Sequence, residues 1–131
     1  MLKRRIKYTD FDDNEREEDF YFHLTKAEIL ELQMGEMGGL KKTLEKIIQE
    51  QDMPKIVEYF KGIVMKAYGK KSMDGRRFDK SEAITADFTS TEAYSILFME
   101  LATDAVASAA FINGIVPSNL AEQPNKGPVE S

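Results

Sequence analysis

The sequence contains no cysteine, which excludes disulfides and thiolate metal sites. It has a single histidine, His23, and one imidazole cannot build a metal cluster alone. No apolar run reaches the roughly 18–20 residues that a membrane-spanning helix needs. The basic start Met1-Leu2-Lys3-Arg4-Arg5 is not followed by an apolar stretch, so it does not read as a signal peptide. The expected location is therefore the cytoplasm in which the chain is made, with no membrane partner. Positive charge is also short. Eighteen Lys and Arg face 23 Asp and Glu, for a net charge of −5. That balance argues against a nucleic-acid partner, though it leaves room for a local basic patch.

What remains is ordinary for one soluble domain: 131 residues, 42% hydrophobic and 31% charged. Residues 2–8 alternate, with Leu2, Arg4, Ile6 and Tyr8 on one face and Lys3, Arg5 and Lys7 on the other. Period two with one apolar side predicts a half-buried strand. Asp10 to Asp19 is acidic and turn-rich, which suits a hairpin loop, and Phe20, Phe22 and Leu24 mark the return strand. A basic strand beside acidic residues favours pairing by a few tenths of a kcal/mol per contact.

Helices follow. Thr25-Lys26-Ala27-Glu28 is a capping box. After it Leu30, Met34 and Met37 share a helical face, and Gly35, Gly38 and Gly39 end the run. Leu40, Leu44, Ile47 and Ile48 mark a second helix. Asp52-Met53-Pro54 restarts the chain with an Asp cap and a first-turn proline. The helix it opens carries Ile56, Phe60, Ile63, Val64 and Ala67 on one face and stops at Gly69. Asp74-Gly75 predicts a turn or short hairpin tip. A small helix is expected around residues 81–87. Thr89-Ser90-Thr91-Glu92 reads as a further capping box, opening a helix to about Leu101 that is apolar nearly all round and so is expected at the buried centre. Leu97 and Phe98 are expected in the core. Thr103-Asp104 caps a last helix, ended by Gly114 and Pro117.

The fold class is thus α+β, mostly α: an N-terminal β-hairpin followed by about five to six helices and a disordered C-terminal tail. Residues 1–117 form one globular domain, with the hairpin at 2–24 and the helical part at 25–116. Residues 118–131 are Pro- and Gly-containing and aperiodic, and read as a flexible tail.

Motifs with chemical potential are incomplete. Asp10, Asp12 and Asn14 have the spacing that opens a calcium loop, but Glu15 stands where Gly belongs and Tyr21 where a bidentate Glu belongs. Gly69-Lys70-Lys71-Ser72 lacks the upstream glycine of a phosphate loop and reads as a helix end with lysines. His23 has no Ser or Asp in a triad pattern nearby and reads as a surface or partner-contact residue. Tyr94, Phe98 and Met99 are core before they are a ligand box, and Glu28, Glu31 and Glu36 form a charged helix face. No acid and base come together, so the chain reads as no enzyme, with no catalytic, cofactor-binding or metal-binding residue and no cofactor.

The segment Tyr68-Gly69-Lys70-Lys71-Ser72, Asp74-Gly75, Phe78, Phe88-Thr89-Ser90-Thr91-Glu92-Ala93-Tyr94, Leu97 to Asp104 and Ala109 to Pro117 resembles the tail assembly chaperones of long-tailed phages and prophages. Tyr8-Thr9-Asp10-Phe11 and Asp19-Phe20-Tyr21-Phe22 fit the same pattern. The resemblance covers most of residues 1–117 and carries no site residue. It implies a non-catalytic protein of the host cytoplasm that binds the tape measure protein until major tail protein polymerises around it. It also implies recruitment of major tail protein, in some members through a longer frameshifted product. A homo-oligomer is compatible with it. Seven methionines suit an adaptable binding surface, or equally a core filler at Met34, Met37, Met53 and Met65. The alternative is a structural part of the tail or head–tail connector, which would persist in purified particles.

Overall fold

Two strands open the chain: β1 spans Leu2–Thr9 and β2 spans Glu15–Phe22, paired antiparallel from Leu2↔Phe22 to Thr9↔Glu15. The computed structural model describes residues 1–33, 46–47 and 49–116. The helix expected through Leu40, Leu44 and Ile48 and the tail at 118–131 lie outside these residues. Ile47 alone of that set is described, half-buried against the core.

The β1–β2 loop is shorter than the acidic composition implies. Glu15 to Asp19, expected in the loop, belong to β2. Their carboxylates lie on or beside a strand face that meets the basic row of β1, where Arg5 Nε sits 3.0 Å from Asp19 Oδ1. Cross-strand pairing thus makes an acidic run acceptable as strand. The tight turn is built by Asp10. Its Oδ1 accepts from the amides of Asp12 and Asn14, both at 2.9 Å, and Asp13 takes φ +65°.

Helix α1 spans Lys26–Gln33 and starts in the expected capping box: Thr25 N donates to Glu28 Oε1 at 2.8 Å, and Glu28 N donates to Thr25 Oγ1 at 3.1 Å. Its inward residue is Ile29, whereas Leu30 is 65% exposed, so the core-facing stripe lies one position before the expected one. Helix α2 spans Met53–Ala67, with Asp52 as N-cap and Pro54 in the first turn. It buries the five expected residues: Ile56, Phe60, Ile63, Val64 and Ala67.

After Ala67 the chain turns into strand rather than simply ending its helix. β3, Tyr68–Lys71, and β4, Phe78–Asp79, form a second hairpin. Gly75 at φ +77° lies in the turn where Asp74-Gly75 predicts it. Gly69 is required here. A Cβ would lie 2.7 Å from Phe78 Cε2 and 2.9 Å from the Asp79 carbonyl oxygen. The sheet order is β1-β2-β3-β4, antiparallel throughout.

Helix α3 spans Glu82–Thr89 with Ser81 as N-cap, and α4 spans Glu92–Thr103. The α4 cap is Thr91, whose side chain accepts from Tyr94 N; Thr89 is the last residue of α3 instead. Asp104 accepts from Val106 N and Ala107 N to start α5, Ala105–Ile115. Five helices are therefore described, behind a four-stranded sheet, in an α+β fold.

The core gathers around aromatic rings from distant segments. Tyr68 stacks on Phe88 with centroids 4.3 Å apart, and Phe22 meets Phe88 and Phe111 edge-on at 5.7 and 5.3 Å. Helix α4 is not buried all round. Ala93, Leu97 and Leu101 face inward, Tyr94 and Phe98 lie half-buried at the margin, and Ile96 and Met99 are 44% and 56% exposed. The apolar outer face of α4 is surface.

Candidate binding groove

The residues singled out by motif serve the fold. Asp10, the first of the calcium-like set, spends its carboxylate on two amides and on Arg16 Nε at 2.5 Å. The Arg16 hydrogen bond, then the Asn14 and Asp12 amides, hold that carboxyl below the usual range. Gly69 to Lys71 form a strand, not a phosphate cradle. His23 follows β2, with its ring edge-on to Phe78 at 6.4 Å and its buried Nδ1 without a hydrogen-bond partner among the described residues. Burial, then the nearby N-terminus and Lys80, push the imidazole below its ordinary pKa. Among the described residues, no three His, Asp or Glu side chains converge as a metal site. Nor is any single described helix long and apolar enough to cross a membrane.

A groove of about 730 Å³ lies between α2 and α3. Gly62, Met65 and Lys66 form one wall, and Thr85, Ala86 and Thr89 the other. Short side chains on the α3 wall, and Gly62 on the other, leave backbone close to the surface at those positions. One end is closed by Lys80, whose Nζ donates to both oxygens of Glu28 at 2.9 Å and to the His23 carbonyl at 2.8 Å. Burial opposes the Glu28 charge, but Lys80 and the Thr25 amide outweigh it and hold the carboxyl below its usual range. The charged end is rigid and internally satisfied, so it contributes shape rather than a free charge.

Gly62 gives the groove its depth. A glycine inside a helix costs about 1 kcal/mol relative to alanine. Among the described residues a Cβ here would meet nothing within 4 Å, so their packing does not require glycine. The bare backbone at Gly62 faces the short side chains of Thr85, Ala86 and Thr89, an arrangement that admits a second helix at close range. Met65, 36% exposed on the same wall, supplies an adaptable apolar contact.

The sequence alone names Met65 and Glu28 in other roles but brings neither to a groove. Gly62 inside an amphipathic helix was the available signal.

No curated protein and no solved structure matches the chain. A sequence model described as phage tail assembly chaperone matches residues 1–129, which extends beyond the region of resemblance and takes in most of the aperiodic C-terminal segment. The chain belongs to the phage tail assembly chaperone family.

Proposed function

We propose that this chaperone acts without catalysis in the host cytoplasm, binding an amphipathic helix of the tape measure protein in the α2–α3 groove and helping to recruit major tail protein. The observation that carries the reading is Gly62: an interior helix glycine with open space for a Cβ among the described residues, facing the short side chains of Thr85, Ala86 and Thr89. A long helical client presents apolar stripes at i, i+3, i+4 and i+7, and a groove of this kind takes such a stripe. Contact is largely apolar, so affinity depends weakly on salt, and burial gives a negative heat-capacity change. Co-expression tests it. The chain should keep its tape measure protein soluble and co-purify with it, without added nucleotide or metal. Equal precipitation with and without the chain, and no heat in calorimetry with soluble client fragments, would sink the reading.

A further inference from the structure

The sheet is incomplete along one strand. β2 pairs with β1 over its full length, but with β3 only at Tyr21↔Gly69 and Phe22↔Tyr68. The two hairpins then part and leave a cleft of about 550 Å³. The backbone alternation shows which groups are left open. His23 N donates to Ala67 O at 2.8 Å on the β3 side. Every second residue points the same way, so Tyr21 faces Gly69, and Asp19 and Glu17 present their N–H and C=O groups to the open edge. The intervening Glu18 and Phe20 face β1 at Ile6 and Arg4.

The cleft has a polar end. Tyr68 is only 4% exposed and lines the cleft, and its hydroxyl makes no hydrogen bond among the described residues. Asp87, on the cleft wall at the end of α3, is exposed and has no ion-pair partner among the described residues. Glu18, also on the wall, accepts from the Tyr8 hydroxyl at 2.6 Å and lies 3.3 Å from Arg16. Burial, then the charges of Asp87 and Glu18, drive the Tyr68 phenol upward in pKa, which sets the hydroxyl in their field. Across the cleft stands Lys70, while Lys71 is drawn over the Tyr21 ring at 5.2 Å.

We propose that this open edge of β2 is a strand-addition site for an extended, basic segment of a partner protein, one of whose Arg or Lys side chains enters the cleft to meet Asp87 and the Tyr68 hydroxyl. The amides of Glu17 and Asp19, unpaired among the described residues, supply main-chain register, and the cleft supplies side-chain choice. Charge complementarity selects a basic strand. β2 carries Glu15, Glu17, Glu18 and Asp19, and the strand it already pairs on its other edge is the basic β1, with Arg5 opposite Asp19 and Lys7 opposite Glu17. This site is separate from the α2–α3 groove and does not rest on it.

The probe is a synthetic, end-blocked peptide of sequence Leu2–Thr9, a basic strand of the kind β2 accepts, titrated into the full-length chain. On binding, the amides of Glu17 and Asp19 should exchange at least about tenfold more slowly, since they gain partners. The Tyr68→Phe/Asp87→Asn double variant removes only the hydroxyl and the charge, and should weaken binding about tenfold. Glu17→Pro removes an edge N–H that β1 does not use, and should abolish binding while the hairpin persists. Gly62→Leu should bind the peptide unchanged, so failure here and failure of the groove reading are distinguishable. Three results would overturn the proposal: equal binding of a peptide with its Lys and Arg replaced by Glu, undiminished binding to the double variant, or sedimentation of the chain alone as a dimer with these amides already protected. The last would assign the edge to a second copy.

Discussion

Lys80 Nζ lies 2.9 Å from both carboxylate oxygens of Glu28, joining the residue before the α3 N-cap to the capping box of α1 across 52 positions of sequence. One carboxylate thereby caps a helix, holds a lysine and closes the groove. Both side chains are about three-quarters buried, so the pair is shielded more than a surface bridge. Glu28→Gln should lower stability by about 1–2 kcal/mol, since a charged hydrogen-bond acceptor is lost from a partly buried site. Lys80→Met should cost a similar amount by stranding the carboxylate. Combined, the two changes should cost less than their sum, as a double-mutant cycle of urea midpoints checks.

The same carboxylate sets a pH dependence. Its folded-state pKa lies below the ordinary 4.5, so the unfolded chain takes up the proton first. Its contribution is therefore complete above about 4.5 and is lost as pH falls through the lower folded value. Thermal midpoints measured from pH 6 to pH 3 should fall less steeply in Glu28→Gln than in the parent chain.

His23 acts higher on the scale with the same sign. Its pKa is lowered from 6.5, so protonation favours the unfolded chain. Stability from this residue is complete above about 6.5 and declines as pH falls. His23→Leu should remove the part of the decline that sets in as pH falls below about 6.5. An unchanged profile would show that the ring is as readily charged in the fold as in the unfolded chain.

How far the sequence reaches differs by element. The α2 face, the α1 capping box and the Asp74-Gly75 tip were legible because each is a local pattern over a few residues. β3 and β4 were not, since strands of four and two residues are too short for periodicity to register. The acids of β2 looked like loop because the pairing that accommodates them comes from another segment. Helix α4 looked central because its apolar residues cannot report which faces find partners. The groove joins Glu28, Gly62 and Lys80, and no spacing rule connects three such separated positions.

The two faces of α4 separate in a mutational test. Leu97 is fully buried, so Leu97→Ala should cost about 2–5 kcal/mol. Phe98 lies half-buried at the core margin against Tyr94, with centroids 5.8 Å apart. Phe98→Ala should fall below the 3–5 kcal/mol of a fully buried phenylalanine, at about 1–2 kcal/mol. Chemical denaturation gives both values. A larger loss at Phe98 than at Leu97 would reverse the assignment of faces.

Gly62 is where stability and binding should move in opposite directions. The described residues leave space for a Cβ there, and alanine is the better helix former. Gly62→Ala should therefore raise stability by about 0.5–1 kcal/mol. Gly62→Leu fills the groove with a branched side chain facing solvent, at little or no cost in stability. If a client helix must approach the α2 backbone, the leucine variant holds it off. Its ability to keep the tape measure protein soluble should then fall steeply, with alanine intermediate. Thermal midpoints and client solubility in parallel co-expressions supply the two readouts. A leucine variant that is folded, as stable as the parent and fully active would move the client off this groove. In that event the exposed Ile96 and Met99 face of α4 becomes the next surface to block, because it places two large apolar side chains, 44% and 56% exposed, on one helix face.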